Sequence, residues 1–207
     1  MDPRIVKVIP IEEHFSITWR LTTRCNYDCM YCPTKWHDIT SRQHTLAELQ
    51  QYWKDIYSKS QHKNLKYKIS FTGGELTSNR DFLPFVEWLR TKYQDSIFQI
   101  LVTTNGSATT RYYTRMFEYV DNISFSVHSE HIDEQKFFNM IRDIKISIPD
   151  KKFIHVNIMN EFWNQNRINA YKLLLENLGV SYSLNEVDYS LRTRENPVIK
   201  GKLNLEI

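Results

Sequence analysis

The chain has 207 residues, enough to bury one hydrophobic core and too few for two large domains. Its 27 lysine and arginine residues exceed its 24 aspartate and glutamate residues by only three and are scattered, so charge does not indicate nucleic-acid binding. No apolar run approaches the roughly 18 residues of a membrane span, and the first residues lack a signal peptide's apolar region, so we expect a cytoplasmic protein without membrane contact.

Short β-rich segments alternate with amphipathic helical segments along the chain. The predicted strands are Ser16–Leu21, Tyr67–Thr72, Phe98–Thr103, Asn122–Val127, Phe153–Met159 and Val180–Val187. The predicted helices are Leu46–Lys59, Asp81–Tyr93, Thr110–Val120, Ile132–Ile144 and Arg167–Leu178. This alternation predicts parallel strands joined by right-handed crossovers.

Three helix ends carry recognisable signals. Thr45 with Glu48 predicts a capping box at the start of the first helix, and Ser78 with Asp81 predicts another at the start of the second. Gly179 suits the position that follows the end of the fifth helix.

The strands carry one apolar and one polar face. In the fourth, Ile123 and Phe125 share one face, while Ser124 and Ser126 share the other. A parallel sheet covered by helices on both faces reads instead as a continuous apolar run. The pattern therefore predicts an α/β fold in which six parallel strands form a partial (β/α)6 TIM-like barrel with a polar lumen.

We expect one domain, with the barrel over residues 1–187 and an irregular C-terminal tail over 188–207. The sixth strand presents Tyr182 and Leu184 on one face, and no sixth helix is predicted to cover them. Since exposed sheet faces are hazardous, we predict that the apolar residues of the tail cover this strand or complete a homodimer contact.

All three cysteines of the chain, Cys25, Cys29 and Cys32, lie in the segment CNYDCMYC after the first strand. An odd number so closely spaced is a poor disulfide framework and indicates a reducing compartment. The loop leaves the C-terminal end of a barrel strand, where βα barrels build their active sites. Iron–sulfur clusters are usually held by four cysteines, so a cluster here would leave one iron open to an external ligand.

Zinc is the alternative occupant. The three cysteines with His37 or His44 would make a Cys₃His set, which is a normal structural zinc site. Such sites usually pair cysteines from two separate segments, which this chain lacks. A zinc- or cluster-binding regulatory module without turnover stays open at this point.

The segment CNYDCMYC resembles the C-x3-C-x-aromatic-C signature of the radical S-adenosylmethionine (radical SAM) superfamily, with Tyr31 at the aromatic position. The segment FTGGEL resembles the GGE motif of that family, and LVTTNG and SFSVHSE resemble the ends of its third and fourth strands. The resemblance extends from about Thr18 to Val187. It implies that the chain is an enzyme without an auxiliary-cluster domain, since no cysteine is left for a second cluster.

The resemblance also implies the site residues. Cys25, Cys29 and Cys32 would ligate three irons of a 4Fe–4S cluster, and S-adenosylmethionine would chelate the fourth. The implied cofactor-binding residues are Tyr31, Gly73, Gly74, Glu75, Ser126 and Asn157. Among them, the two glycines would allow the methionine part to approach, and the Glu75 carboxylate would pair with its ammonium group.

The implied reaction is reductive cleavage of S-adenosylmethionine to a 5′-deoxyadenosyl radical, with an electron from a flavodoxin- or ferredoxin-like donor. The radical would abstract hydrogen from a small-molecule or nucleotide-like substrate. The alternatives are an activase of a glycyl radical enzyme and a peptide-modifying radical enzyme. Arg20, His128 and His155, on the polar strand faces, are the candidate substrate-binding residues, and no catalytic residue is assigned beyond the cluster ligands.

Overall fold

The computed structural model describes residues 14–33, 38–61 and 65–191. Its strands are β1 His14–Thr22, β2 Lys66–Gly73, β3 Ile97–Thr104, β4 Asn122–Val127, β5 Phe153–Asn160 and β6 Ser181–Glu186. Its helices are α1 Leu46–Ser60, α2 Phe82–Lys92, α3 Thr110–Met116, α4 Glu134–Ser147 and α5 Gln165–Asn177. Short 3₁₀ turns lie at Leu76–Ser78, Gln94–Ser96, Phe162–Asn164 and Tyr189–Leu191.

The six described strands form one sheet in chain order, β1 to β6, and each pairs in parallel with the next. β1 and β6 are the two ends of this order, so the sheet formed by the described strands is not closed. The predicted partial (β/α)6 barrel is confirmed. All strands therefore end at the same edge, and the loops leaving that edge meet above the lumen.

The core lies between the outer face of the sheet and the helices. Ile69 and Phe71 of β2 are fully buried there, together with Trp53 of α1 and Phe85 of α2. Burial of a large apolar side chain contributes about 1.5–3 kcal/mol, so this layer is the main stabilising element. The lumen face keeps polar side chains that are partly exposed, as the alternation predicted.

Of the two predicted capping boxes, one is confirmed and one is wrong. Thr45 and Glu48 cap α1 reciprocally. Asp81 precedes α2 but makes no side-chain cap bond; its carboxylate accepts the Leu46 N–H at 3.1 Å. Ser78 belongs to a 3₁₀ turn and donates to the Glu75 carbonyl at 2.7 Å. The Asp81 carboxylate thus serves the start of the neighbouring helix.

Helix boundaries differ from the sequence prediction by a few residues. α3 ends at Met116, four residues early, since the Glu118 and Tyr119 N–H groups bond to carbonyls only three residues back, those of Arg115 and Met116, in tighter turns. α4 begins at Glu134, because Asp133 caps it by accepting the Lys136 N–H. Gly179 follows α5 with φ +61° and donates to the Glu176 carbonyl, as predicted.

The beginning of the predicted tail packs near the end of β5. The Tyr189 hydroxyl accepts the Phe162 N–H at 2.9 Å, and the ring contacts Phe162 and Trp163. Residues 192–207 lie outside the described part of the chain, so the predicted cover over Tyr182 and Leu184 stays a prediction. Within the described ranges, the helices are all too short or too polar to cross a membrane.

Candidate functional site

The three cysteine side chains converge on one cavity at the C-terminal edge of the sheet. The cavity has a volume of about 190 Å³. Gly73, Gly74, Ser126 and His128 line it together with the thiols, so the structure brings seven of the predicted site residues together. Thr103, Thr104 and Asn105 also line it, from the segment LVTTNG at the end of β3, as does Tyr27 from the cysteine loop.

The three thiols are soft metal-binding groups, and all of them line this cavity. Cys29 is buried, while Cys25 and Cys32 are half-buried, and all three are free. Burial raises the pKa of each thiol; at Cys29 the charge of Glu130 raises it further. Thiolates are the metal-binding form, so occupation of this pocket releases protons.

Zinc and an iron–sulfur cluster require different arrangements of the three thiols. Among the described residues, no three His, Cys, Asp or Glu side chains are arranged to hold a single metal ion. His37, one of the two predicted zinc-ligating histidines, lies outside the described residues. A cubane cluster has a different requirement, because each thiolate binds its own iron atom. Three thiolates from one short loop, around one cavity, fit an iron–sulfur cluster with one iron left for another ligand.

Backbone hydrogen bonds close the cysteine loop at its base. The Cys25 N–H donates to the Asp38 carbonyl at 2.7 Å, and the Asp38 N–H donates to the Thr23 carbonyl at 3.0 Å. The Asp38 carboxylate accepts the Thr23 hydroxyl at 2.8 Å, and its hydrogen bonds, above all those from Ser41, hold the pKa of Asp38 well below its usual range. These bonds therefore hold Asp38 beside Thr23 and Cys25, close to the end of β1.

The two glycines after β2 are required by the start of this loop. A Cβ on Gly73 would lie 2.4 Å from the Thr22 carbonyl oxygen, and one on Gly74 would lie 2.2 Å from that of Arg24. The Gly74 and Glu75 N–H groups donate to the same two carbonyls at 2.8 Å each. Close backbone packing thus explains both glycines, and their predicted approach to methionine stays a prediction.

Glu75 is fully buried beneath the cavity and joins three segments. Its Oε1 accepts the Thr77 N–H at 2.9 Å, the Thr77 hydroxyl at 2.6 Å and the Thr104 hydroxyl at 2.9 Å. Its Oε2 accepts the Asn105 N–H at 2.7 Å, and the Asn105 amide donates to Asn26 Oδ1 at 2.9 Å. Burial raises the pKa of Glu75, and these hydrogen bonds oppose the rise. Glu75 therefore has a structural role that the sequence prediction did not include.

Tyr31 is tied by its hydroxyl to the ends of β4 and β5. The hydroxyl oxygen lies 2.6 Å from His128 Nδ1, and the hydroxyl donates to Glu161 Oε1 at 3.1 Å. The Glu161 carboxylate also accepts the Ser129 hydroxyl and the Asn164 amide. Desolvation lowers the pKa of His128 to about 4 and raises that of Glu161 to about 7, so His128 is neutral at pH 7. Sequence reasoning missed Glu161, which no short-range pattern marks.

The other predicted residues lie on the lumen face, away from the cavity lining. His155 bonds through Nδ1 to the Ser181 hydroxyl at 3.0 Å and through Nε2 to the Ser183 hydroxyl at 3.1 Å. Asn157 accepts from Ser183 at 3.1 Å. Arg20 lies exposed on β1, where its charge opposes the effect of burial on the Cys32 thiol. Arg20, His155 and Asn157 are thus on the polar strand faces but outside the lining of the cysteine cavity.

Comparison with protein families gives one match that covers most of the chain. The family model described as "Radical SAM superfamily" matches residues 19–152, which include the cysteine loop, both glycines and His128.

Two curated relatives match part of the chain. An S-adenosylmethionine-dependent nucleotide dehydratase of Selenomonas ruminantium is 31% identical over 93 residues, which are 45% of this chain and 30% of the relative. A GTP 3′,8-cyclase of Pasteurella multocida (strain Pm70) is also 31% identical over 93 residues, 45% of this chain and 26% of the relative. The matched segment thus spans less than a third of each relative.

Two solved structures share the fold. SuiB of Streptococcus suis has a TM-score of 0.63 at 11% identity, over 93% of this chain and 43% of SuiB. BtrN, solved in complex with AdoMet and 2-DOIA, has a TM-score of 0.51 at 17% identity, over 70% of this chain and 57% of BtrN. At these identities the likeness concerns the fold alone.

Proposed function

The chain belongs to the radical SAM superfamily, and we propose that it holds a 4Fe–4S cluster with Cys25, Cys29 and Cys32 and cleaves S-adenosylmethionine reductively. The observation that carries this proposal is the convergence of three thiols, in one cavity, with the turn that holds Gly73 and Gly74. When bound, the cluster and S-adenosylmethionine supply a 5′-deoxyadenosyl radical that abstracts hydrogen from the substrate.

In this proposal, the residues of the chain bind and orient the cluster and S-adenosylmethionine and shield them from water. The loop closed by Asp38 fixes where the thiols point, and Glu75 fixes the glycine turn and Asn105 against that loop. Ser126 is buried in the cavity wall and is the residue that we propose to hydrogen-bond a ribose hydroxyl of the cofactor. His128 is neutral at pH 7, so it places a polar side chain in the cavity lining without adding charge.

We propose a small nucleotide-like substrate that binds against the lumen face of the barrel. Two rows of in-register polar residues across β4, β5 and β6 support this, namely Ser124, His155, Ser181 and Ser126, Asn157, Ser183. Arg20 on β1 presents a guanidinium group, which suits a phosphate or carboxylate. The names of both curated relatives refer to nucleotides, which favours the same class.

We propose further that a flavodoxin- or ferredoxin-like protein supplies the electron. This kind of donor is what membership of the family implies, and the cleavage consumes one electron that must come from such a partner.

Anaerobic reconstitution with iron and sulfide tests the cofactor part of the proposal. We expect about four irons and four sulfides per chain, the visible absorption of a thiolate-bound cluster, and a change in its EPR spectrum when S-adenosylmethionine is added. A chain that takes up zinc in preference, and shows no spectral response to S-adenosylmethionine, would favour the regulatory module instead.

Incubation of the reduced, reconstituted chain with S-adenosylmethionine and different substrates tests the substrate class. We expect ribonucleoside triphosphates to increase 5′-deoxyadenosine release, and His155→Ala to raise the concentration of nucleotide required. Lys145→Ala, on the outer surface of α4, is the control. Stimulation by peptides alone would support the peptide-modifying alternative.

A further inference from the structure

His128 follows β4 and lines the cysteine cavity, and one of its two ring nitrogens is already engaged by the chain. Its Nδ1 lies 2.6 Å from the Tyr31 hydroxyl oxygen. Among the described residues, none hydrogen-bonds to its Nε2, so that nitrogen is left for the cavity that the ring lines. A neutral imidazole carries one ring N–H, and the nitrogen that carries it decides whether Nε2 donates or accepts.

The Tyr31 hydroxyl has one hydrogen and two neighbours that could accept it. Glu161 Oε1 lies 3.1 Å away and, as a carboxylate oxygen, only accepts. His128 Nδ1 can accept or, when it carries the ring hydrogen, donate. Both contacts are hydrogen bonds only if the hydroxyl donates to Glu161 and the Nδ1–H group donates to the hydroxyl oxygen. The geometry therefore favours the Nδ1–H form of His128.

Glu161 accepts from other donors as well. Its Oε2 accepts the Ser129 hydroxyl, and it accepts the Asn164 amide at 3.3 Å. The Ser129 oxygen in turn accepts the Trp163 indole N–H at 3.3 Å, which leaves the Ser129 hydrogen for Glu161. Donors therefore approach both carboxylate oxygens, which is the arrangement that a carboxylate without a proton requires.

We propose that Glu161 and Tyr31 hold His128 in its Nδ1–H form, so that Nε2 accepts a hydrogen bond from a hydroxyl or N–H group of the ligand in the cavity. Glu161 and Tyr31 are then positioning residues, and His128 is the residue that contacts the ligand. The ligand part of the inference rests on the proposed function, since S-adenosylmethionine and a nucleotide substrate both carry such groups. The tautomer part depends on the chain alone.

The tautomer is measured by nitrogen-15 NMR on the full, cofactor-free chain at pH 8. A histidine with the ordinary pKa of 6.5 is neutral there, desolvation lowers the pKa of His128 to about 4, and Glu161, with a pKa of about 7, is mostly ionised. Long-range proton–nitrogen spectra distinguish protonated from unprotonated ring nitrogens, and the signals lost in His128→Gln identify the residue. We expect a protonated Nδ1 and an unprotonated Nε2.

Glu161→Gln tests the positioning role of the carboxylate. The Ser129 and Asn164 donors keep the new amide oxygen at the position of Oε2, so the amide N–H₂ faces the Tyr31 oxygen. The Tyr31 hydroxyl then donates to His128 Nδ1. We expect the ring hydrogen to move to Nε2 in this variant.

Two further variants complete the NMR series. Tyr31→Phe removes the partner of Nδ1, and we expect the Nε2–H form that histidine favours in water. Glu186→Gln is the matched control, because Glu186 accepts the Asn160 amide at 2.7 Å at the end of β6 and takes no part in the contacts of His128. We expect the wild-type tautomer there.

Ligand binding to the reconstituted wild type, Glu161→Gln and Glu186→Gln, measured anaerobically by calorimetry, identifies the donor group. We expect Glu161→Gln to bind one ligand about tenfold more weakly, because Nε2–H would face a donor, and Glu186→Gln to bind as the wild type does. A loss for S-adenosylmethionine places the donor on the cofactor, and a loss for a ribonucleoside triphosphate places it on the substrate.

A wild-type chain whose Nε2 carries the hydrogen would overturn the inference, as would unchanged affinity of Glu161→Gln for both ligands. An Nδ1–H form that persists in Glu161→Gln would contradict the positioning role. If Glu161→Gln does not fold, the wild type and Tyr31→Phe decide by the same NMR criterion. A wild type with the Nδ1–H form that takes up no cluster would contradict the proposed function and support the tautomer assignment.

Discussion

At the scale of single residues, the buried carboxylates explain how the site is held together. Glu75 was expected to face the cofactor, but four hydrogen bonds from Thr77, Thr104 and Asn105 already engage its oxygens. Its predicted bond to the methionine ammonium would have to use what remains of Oε2. Glu75 therefore contributes to the stability of the chain even when no cofactor is bound.

We predict that Glu75→Gln destabilises the cofactor-free chain by about 1–3 kcal/mol, because the new amide N–H₂ would face hydrogen-bond donors. Urea unfolding measures this effect. Glu87→Gln, at a half-exposed pair with Arg115, is the control and should change stability by less than about 0.5 kcal/mol. Wild-type stability with weakened S-adenosylmethionine binding would instead assign Glu75 to the ligand alone.

Glu161 predicts a dependence of stability on pH. Burial raises the pKa of its carboxyl from 4.5 to about 7. The folded chain then holds a proton that the unfolded chain has lost, so the stability contributed by this group is present below pH 4.5 and is lost as the pH rises to about 7. The loss is on the order of 3 kcal/mol. His128, whose pKa is lowered to about 4, has the opposite trend between about pH 4 and 6.5.

Comparison with Glu161→Gln isolates the effect, because His128 is common to both proteins. The free energy of unfolding of the wild type, minus that of the variant, should fall as the pH rises from 4.5 to 7. A difference that stays constant across this range would show that Glu161 titrates normally.

At the scale of elements, the glycine turn after β2 and the start of the cysteine loop form one unit. We predict that Gly74→Ala lowers iron uptake on reconstitution, because its Cβ would lie 2.2 Å from the Arg24 carbonyl oxygen and displace the loop. Gly179→Ala is the matched control. It has φ +61° and nothing within 4 Å of the added Cβ, so it should cost about 1 kcal/mol of stability and leave iron uptake unchanged. Equal iron uptake in the two variants would contradict this coupling.

The sequence predicted the number, type and order of the elements, since each strand and helix has a periodicity of its own. It failed where one side chain had two possible partners. Ser78 and Asp81 have capping-box spacing, yet Asp81 bonds to the Leu46 N–H of another helix. Contacts such as those of Tyr31 with Glu161, 130 positions apart, depend on how β5 is placed beside β4, which local patterns do not specify.

At the scale of the whole molecule, the polar and apolar alternation of the strands was sufficient to predict a partial barrel. It placed Ile69, Phe71 and their counterparts toward the helices and left a polar lumen beneath the cysteine loop. The cysteine motif then predicted which edge of the sheet carries the site. The contacts of Glu130, which accepts the Met30 N–H, and of Glu161, which accepts the Tyr31 hydroxyl, came only from the folded structure.

The open edge of the barrel gives a prediction for the tail. Leu184 of β6 is 40% exposed in the described part of the chain. We predict that truncation after Tyr189 lowers the thermal stability or promotes self-association, because residues 190–207 would no longer cover β6. Differential scanning calorimetry with light scattering measures both. A truncated chain that stays monodisperse and equally stable would show that the tail covers nothing.

The central claim is that the cysteine loop holds the cluster at which S-adenosylmethionine is cleaved, and it is tested most directly by 5′-deoxyadenosine release. The wild type and Cys29→Ala are reconstituted anaerobically, reduced with dithionite and supplied with S-adenosylmethionine, and circular dichroism confirms that both are folded. We predict that the wild type releases 5′-deoxyadenosine and that Cys29→Ala releases none, because one iron loses its thiolate. Release by Cys29→Ala at the wild-type rate would contradict the account.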